Sequence, residues 1–209
     1  PLFWYLKIKK AQFAKHLRLK PVSMDIIKYT TLLSIGIIIL SDELDRLIQS
    51  IIPAPDYILD LNNLLQPESL LGFILLFIAV ALIAPLGEEL LFRGFLQKII
   101  EKEWEDITKA ILTTSLIFAF IHMNPYWFVQ IYILGIVLGF LSWKTKSVFP
   151  PLILHGMNNA TALMFSIFNI NDNNIYIWNN HVSPIFIVMA FFLIRFGFVG
   201  INKTYTQHR

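Results

Sequence analysis

Apolar residues run through this chain in long blocks, broken by short polar stretches, instead of alternating with polar ones at a strand or amphipathic-helix period. Six stretches, roughly residues 25–41, 69–97, 107–123, 127–143, 148–169 and 184–201, are long enough or nearly so to cross a bilayer, for which about 20 residues suffice. The second is overlong and contains Pro85 and Gly87, which predicts two helical pieces or one kinked helix. The third ends at the run His122, Met123, Asn124, Pro125, where the proline and the residue before it stop a helix. No internal repeat and no Gly/Ser-rich linker divides the pattern. It predicts an all-α, polytopic transmembrane helix bundle of about six spans with a polar mid-membrane cavity, forming one membrane domain over residues 25–201.

Charge gives this bundle an orientation. Lys7, Lys9, Lys10, Lys15, Arg18 and Lys20 precede the first span with no acid among them, which places the N-terminus in the cytoplasm by the positive-inside rule. The following segment, 42–68, carries Asp42, Glu43, Asp45, Asp56, Asp60 and Glu68 against Arg46 alone and is expected outside. Six alternating crossings then leave residues 202–209 as a short cytoplasmic tail, and residues 1–24 as a basic, aromatic interfacial segment. The expected setting is a prokaryotic cell membrane, with the lipid bilayer as the first partner. The net charge of +3 is not gathered on one face but punctuates the apolar runs, so nucleic acid is not an expected partner. The absence of cysteine excludes disulfides, thiolate zinc sites and cysteine nucleophiles.

Ionisable groups inside spans cost roughly 2.5–3.5 kcal/mol each on insertion scales, so each needs a partner or a watery cavity. Those present are Glu88, Glu89, Arg93, His122 and His155, joined by the amides of Asn158 and Asn159. At a rise of about 1.5 Å per residue, three separate predicted helices deliver these groups to overlapping depths near mid-membrane. Glu89 and Arg93 stand four apart and can pair, which turns Glu88 about 100° away. His155 and Asn159 share a face, as do Phe118 and His122. A carboxylate enclosed by low dielectric is a stronger base towards water, histidine can orient that water, and an Asn amide can donate to an oxyanion. Together they describe hydrolysis of an acyl bond. Structural alternatives stand beside this reading: an interhelical Glu89–Arg93 ion pair, His122 as a helix cap, and the run HGMNN as a hydrogen-bonded packing patch.

The segments EELLFR, FAFIH and HGMNN also match, in order, the motifs E-E-x-x-x-R, F-x-x-x-H and H-x-x-x-N. Over about residues 70–169 the chain resembles the CPBP (Abi) intramembrane proteases, which include type II CAAX prenyl endopeptidases and bacteriocin-processing or self-immunity relatives. The resemblance implies that Glu88 activates the attacking water with the help of His122, that His155 and Asn159 stabilise the oxyanion, and that Glu89 and Arg93 support the site. It implies a membrane-associated peptide or protein substrate, prenylated in some relatives, and no cofactor. Zinc is the alternative: Glu88, His122 and His155 would be its ligands, although H-E-x-x-H is absent and a neutral Asn would be an unusual neighbour in the set. A non-catalytic interaction or self-immunity protein is the second class of function, and a small transporter the third; repeated halves with broken helices, which the last would need, are absent.

Overall fold

The computed structural model describes residues 17–53, 55, 56, 58, 66–168 and 175–207. Six helices make up nearly all regular structure among them: α1 (Met24–Ile51), α2 (Leu70–Trp104), α3 (Ile107–Ile121), α4 (Phe128–Thr145), α5 (Phe149–Phe168) and α6 (Pro184–Gln207). A small antiparallel hairpin of β1 (Ile177–Trp178) and β2 (His181–Val182) precedes α6. Helices α1, α2, α4 and α6 are long and apolar enough to cross a membrane, and α3 is a shorter apolar helix of 15 residues. The all-α membrane bundle expected from the hydrophobic pattern is the fold observed. Most of the expected interfacial segment, residues 1–16, lies outside the described residues, as does most of the acidic stretch beyond Pro53.

Two elements differ from the sequence pattern. Helix α1 does not end near residue 41 but continues to Ile51, because the charges that look like a loop are paired along it. Arg46 Nε donates to Asp42 Oδ2 at 3.2 Å, Gln49 Nε2 donates to Asp45 Oδ2 at 2.6 Å, and Glu43 accepts from the Val182 amide at 2.7 Å. Helix α2 is a single element through Pro85 and Gly87, neither of which breaks it.

Long-range polar contacts define an up-and-down arrangement. Arg18, just before α1, pairs with Glu101 near the end of α2 and bonds Ser142 near the end of α4, while Ser147 Oγ donates to the Lys20 carbonyl. At the opposite side, Gln130 near the start of α4 donates to Ser41 of α1, and His181 beside α6 pairs with Glu43. Between these ends, Ile26, Leu33, Leu134, Leu138, Leu141, Leu154 and Ile201 form the core shared by α1, α4, α5 and α6. Leu70, Leu71, Leu75, Leu82 and Ile83 of α2 and Phe191, Phe192 and Phe196 of α6 remain exposed, the apolar exterior that hydrocarbon requires. Most buried hydroxyls bond back to their own helix, as Thr114 to Ala110 O and Ser115 to Ile111 O, both at 2.7 Å.

Candidate active site

The site begins with the way α2 accommodates its proline. Residues Ala79–Ile83 form a π turn, with the Ala84 amide reaching back five residues to Ala79 O. The next donor in that pattern would be residue 85, directed at Val80 O, and proline has none. Asn159 of α5 supplies the missing donor: its Nδ2 lies 3.2 Å from Val80 O. One turn back, Gly156 lets α5 approach so closely that a Cβ there would stand 2.7 Å from Ala81 O. A second π turn, Leu90–Leu96, follows the six-residue α-helical stretch Ala84–Glu89. Glu88 and Glu89 therefore sit between two π turns, the kind of irregularity that recurs at functional sites.

Glu89 is fully buried, and two partners meet its Oε1 while Oε2 has no hydrogen-bond partner. Arg93 Nη1 donates to its Oε1 at 2.8 Å, and His155 Nδ1 lies 2.9 Å from the same oxygen. Arg93, also fully buried, donates from Nη2 to Gly135 O of α4 at 3.3 Å, and its guanidinium carbon lies 4.2 Å from the Phe118 ring centroid. Phe118 meets the His122 ring edge-on at 4.7 Å and the His155 ring at 5.7 Å. One benzyl group thus fixes the planes of both imidazoles and covers the cation that faces Glu89.

The partners of the two histidines assign their tautomers. His122 Nδ1 lies 2.7 Å from Phe118 O, a carbonyl that only accepts, so Nδ1 carries the proton. His155 Nδ1 faces a carboxylate oxygen that already accepts from Arg93, so it too carries a proton. In its neutral form each ring would then present a bare Nε2 to Glu88. The distances from Glu88 Oε2 are 4.0 Å to His122 Nε2 and 3.7 Å to His155 Nε2, and Oε2 itself is buried without a hydrogen-bond partner. In that form Glu88 Oε2 faces an acceptor nitrogen on each ring across a gap too long for a direct hydrogen bond and short enough for one small donor to bridge.

The expected residues therefore divide. Glu88, Glu89, Arg93, His122 and His155 converge from α2, α3 and α5. Asn159 lies one turn further along α5, at Val80, with one of its two N–H groups engaged there. The Glu88 and His122 side chains are 30% and 29% exposed, while that of His155 is 4% exposed. The donor set would suit zinc chemically. Tetrahedral zinc, however, spaces its ligand atoms by about 3.3 Å, closer than these separations, and no group of three His, Asp or Glu at metal-holding distance occurs among the described residues. What sequence reasoning missed is the Glu89–His155 bond, which joins residues 66 positions apart, and Gly135 as the acceptor for Arg93.

Residues 70–161, from the start of α2 through Asn159 of α5, match the Rce1-like family, described as type II CAAX prenyl endopeptidase. No curated protein and no solved structure matches the chain. The matched range contains every residue of the cluster, and the family is one of proteases, in keeping with apolar helices long enough to span a membrane. Over residues 70–161 the chain is similar to the Rce1-like family of type II CAAX prenyl endopeptidases.

Proposed function

We propose that the protein is an intramembrane endopeptidase in which Glu88 activates water. The observation that carries this reading is that His122 Nε2 and His155 Nε2 both lie within 4.0 Å of Glu88 Oε2, which accepts no hydrogen bond. A water held there donates one hydrogen to Glu88 and one to a histidine, leaving an oxygen lone pair free for a scissile carbonyl. As that oxygen adds to the carbonyl carbon, its proton passes to Glu88 and the carbonyl π pair moves to oxygen. The second N–H of Asn159 donates to the developing oxyanion, and His155 does so from Nε2 when protonated, with Glu89 balancing the imidazolium through Nδ1. Collapse breaks the C–N bond, and the leaving amine takes the proton from Glu88. Water is consumed, and a carboxylic acid and an amine are released, the acid's proton then passing to the amine to give a carboxylate and an ammonium.

The family suggests a prenylated C-terminal CAAX peptide as the probe. With a farnesylated, fluorogenic CAAX peptide and the protein in lipid nanodiscs, Glu88→Gln is expected to lose roughly 10²–10⁴-fold in kcat while unfolding at the wild-type temperature. Chelator treatment is expected to leave the wild-type rate unchanged, and metal-dependent loss would return the zinc version. A Glu88→Gln enzyme as fast as wild type would sink the glutamate mechanism. An interaction or self-immunity role, with polar groups that only lock the bundle, predicts instead that this variant loses stability. Glu88 Oε2 accepts no hydrogen bond, so Glu88→Gln breaks none there.

A further inference from the structure

Beyond the cluster, α2 carries more buried polarity than the proposed chemistry uses. Four residues on one line, Glu89, Arg93, Gln97 and Glu101, recur every four positions, and the side chains of the first three are fully buried. Gln97 Nε2 donates to Gly139 O of α4 at 2.9 Å and to Glu101 Oε1 at 2.8 Å. Arg93 makes the equivalent bond one turn earlier, to Gly135 O. Both pairs are offset by the same 42 positions, so α2 and α4 run parallel in one fixed register. Gly139 leaves room for this contact, since a Cβ there would stand 3.0 Å from Gln97 Oε1.

The line ends on the chain before α1. Arg18, in a left-handed conformation at φ 53° and nearly buried, pairs with Glu101 and donates to Ser142 Oγ at 3.1 Å. Its carbonyl accepts from the Val148 amide at 3.0 Å. Leu17 O lies where a side chain at position 94 would be, 2.7 Å from an ideal Cβ on Gly94. This stretch is therefore strapped across α2 next to Arg93, inside the second π turn.

We infer that Gln97 and Arg18 are positioning residues: they hold the register of α2 on α4, and thereby set where Arg93 places the Glu89 carboxylate and how His155 is oriented. A slip of one helical residue moves a side chain about 1.5 Å along the axis, and misplacement by about 1 Å can cost roughly 100-fold in rate. A π turn makes such a slip easier, since its hydrogen bonds compete with the ordinary α pattern. The contacts at Gly139 and Ser142 clamp the helix immediately beyond that turn.

This inference rests on the glutamate-protease reading for its kinetic effect but not for its spectroscopic one. In Gln97→Leu the expected kcat for the farnesylated CAAX peptide falls by about 10- to 100-fold with KM unchanged. In ¹⁵N-histidine spectra of the full chain in nanodiscs, the His155 Nδ1–H signal shifts or broadens. Arg18→Gln, at the end of the line, gives the same changes at smaller size in a protein that folds even if Gln97→Leu does not, and Arg18→Lys restores part of the rate. Wild-type kcat per folded molecule together with an unchanged His155 spectrum in Arg18→Gln would overturn the inference. If no variant and no wild-type protein cleaves the peptide, the protease reading fails, and the His155 spectrum alone decides the positioning role.

Discussion

At the scale of single residues, the Glu89–Arg93 pair shows what burial demands. Two charges taken out of water gain little net stability when paired, but removing one leaves the other uncompensated at a cost of about 3–5 kcal/mol. Arg93→Met is accordingly expected to destabilise the protein by about that amount, read by thermal or denaturant unfolding in detergent. Glu89→Gln combined with Arg93→Met should recover most of the loss, and equal losses in both proteins would contradict an ion-pair origin. The pairing itself was legible in the sequence, since a four-residue spacing puts both groups on one helix face. So was the packing of Phe118 on His122. The bond between Glu89 and His155 was not, because it depends on how α5 lies against α2, and nothing within either segment encodes that approach.

At the scale of elements, α2 decides the geometry. The proline signalled an irregularity, but hydrophobic patterning could not distinguish a break from a π turn repaired by Asn159. Asn159 thus has a structural duty that the motif alone does not reveal. Two glycines on these helices should respond oppositely to a methyl group. Gly156→Ala drives a Cβ into backbone at Ala81 O and is expected to destabilise by about 1–3 kcal/mol. Gly87→Ala meets nothing within 4 Å and is expected to stabilise by about 0.5–1 kcal/mol. Paired unfolding curves check both, and similar shifts in one direction would refute the close α2–α5 approach. The hairpin before α6 had a readable signal that the apolar pattern overshadowed. Asn179 and Asn180 lie at φ 51° and 65°, as a two-residue type I′ turn requires, and asparagine is among the few residues that tolerate both positions.

At the scale of the whole molecule, the bundle separates its two ends by chemistry. Arg18, Glu101, Ser142 and Ser147 tie one side together, while Glu43, His181, Ser41 and Gln130 tie the other. By the positive-inside rule the first side is expected to face the cytoplasm. Because the chain has no cysteine, single introduced thiols report this cleanly. Ile175→Cys, at a residue 85% exposed beside the hairpin, is expected to react with a membrane-impermeant maleimide on intact cells. Glu103→Cys, exposed near the end of α2, is expected to react only after permeabilisation, and the reverse pattern would invert the topology. The two π turns also make α2 behave like a crankshaft. Each absorbs an extra residue and throws the following face round by about 100°, so one rod of 35 residues carries three differently aimed journals. The first, Leu70–Ile78, has no buried residue, the second carries Glu88 and Glu89 towards His155 of α5, and the third meets α4 through Gln97.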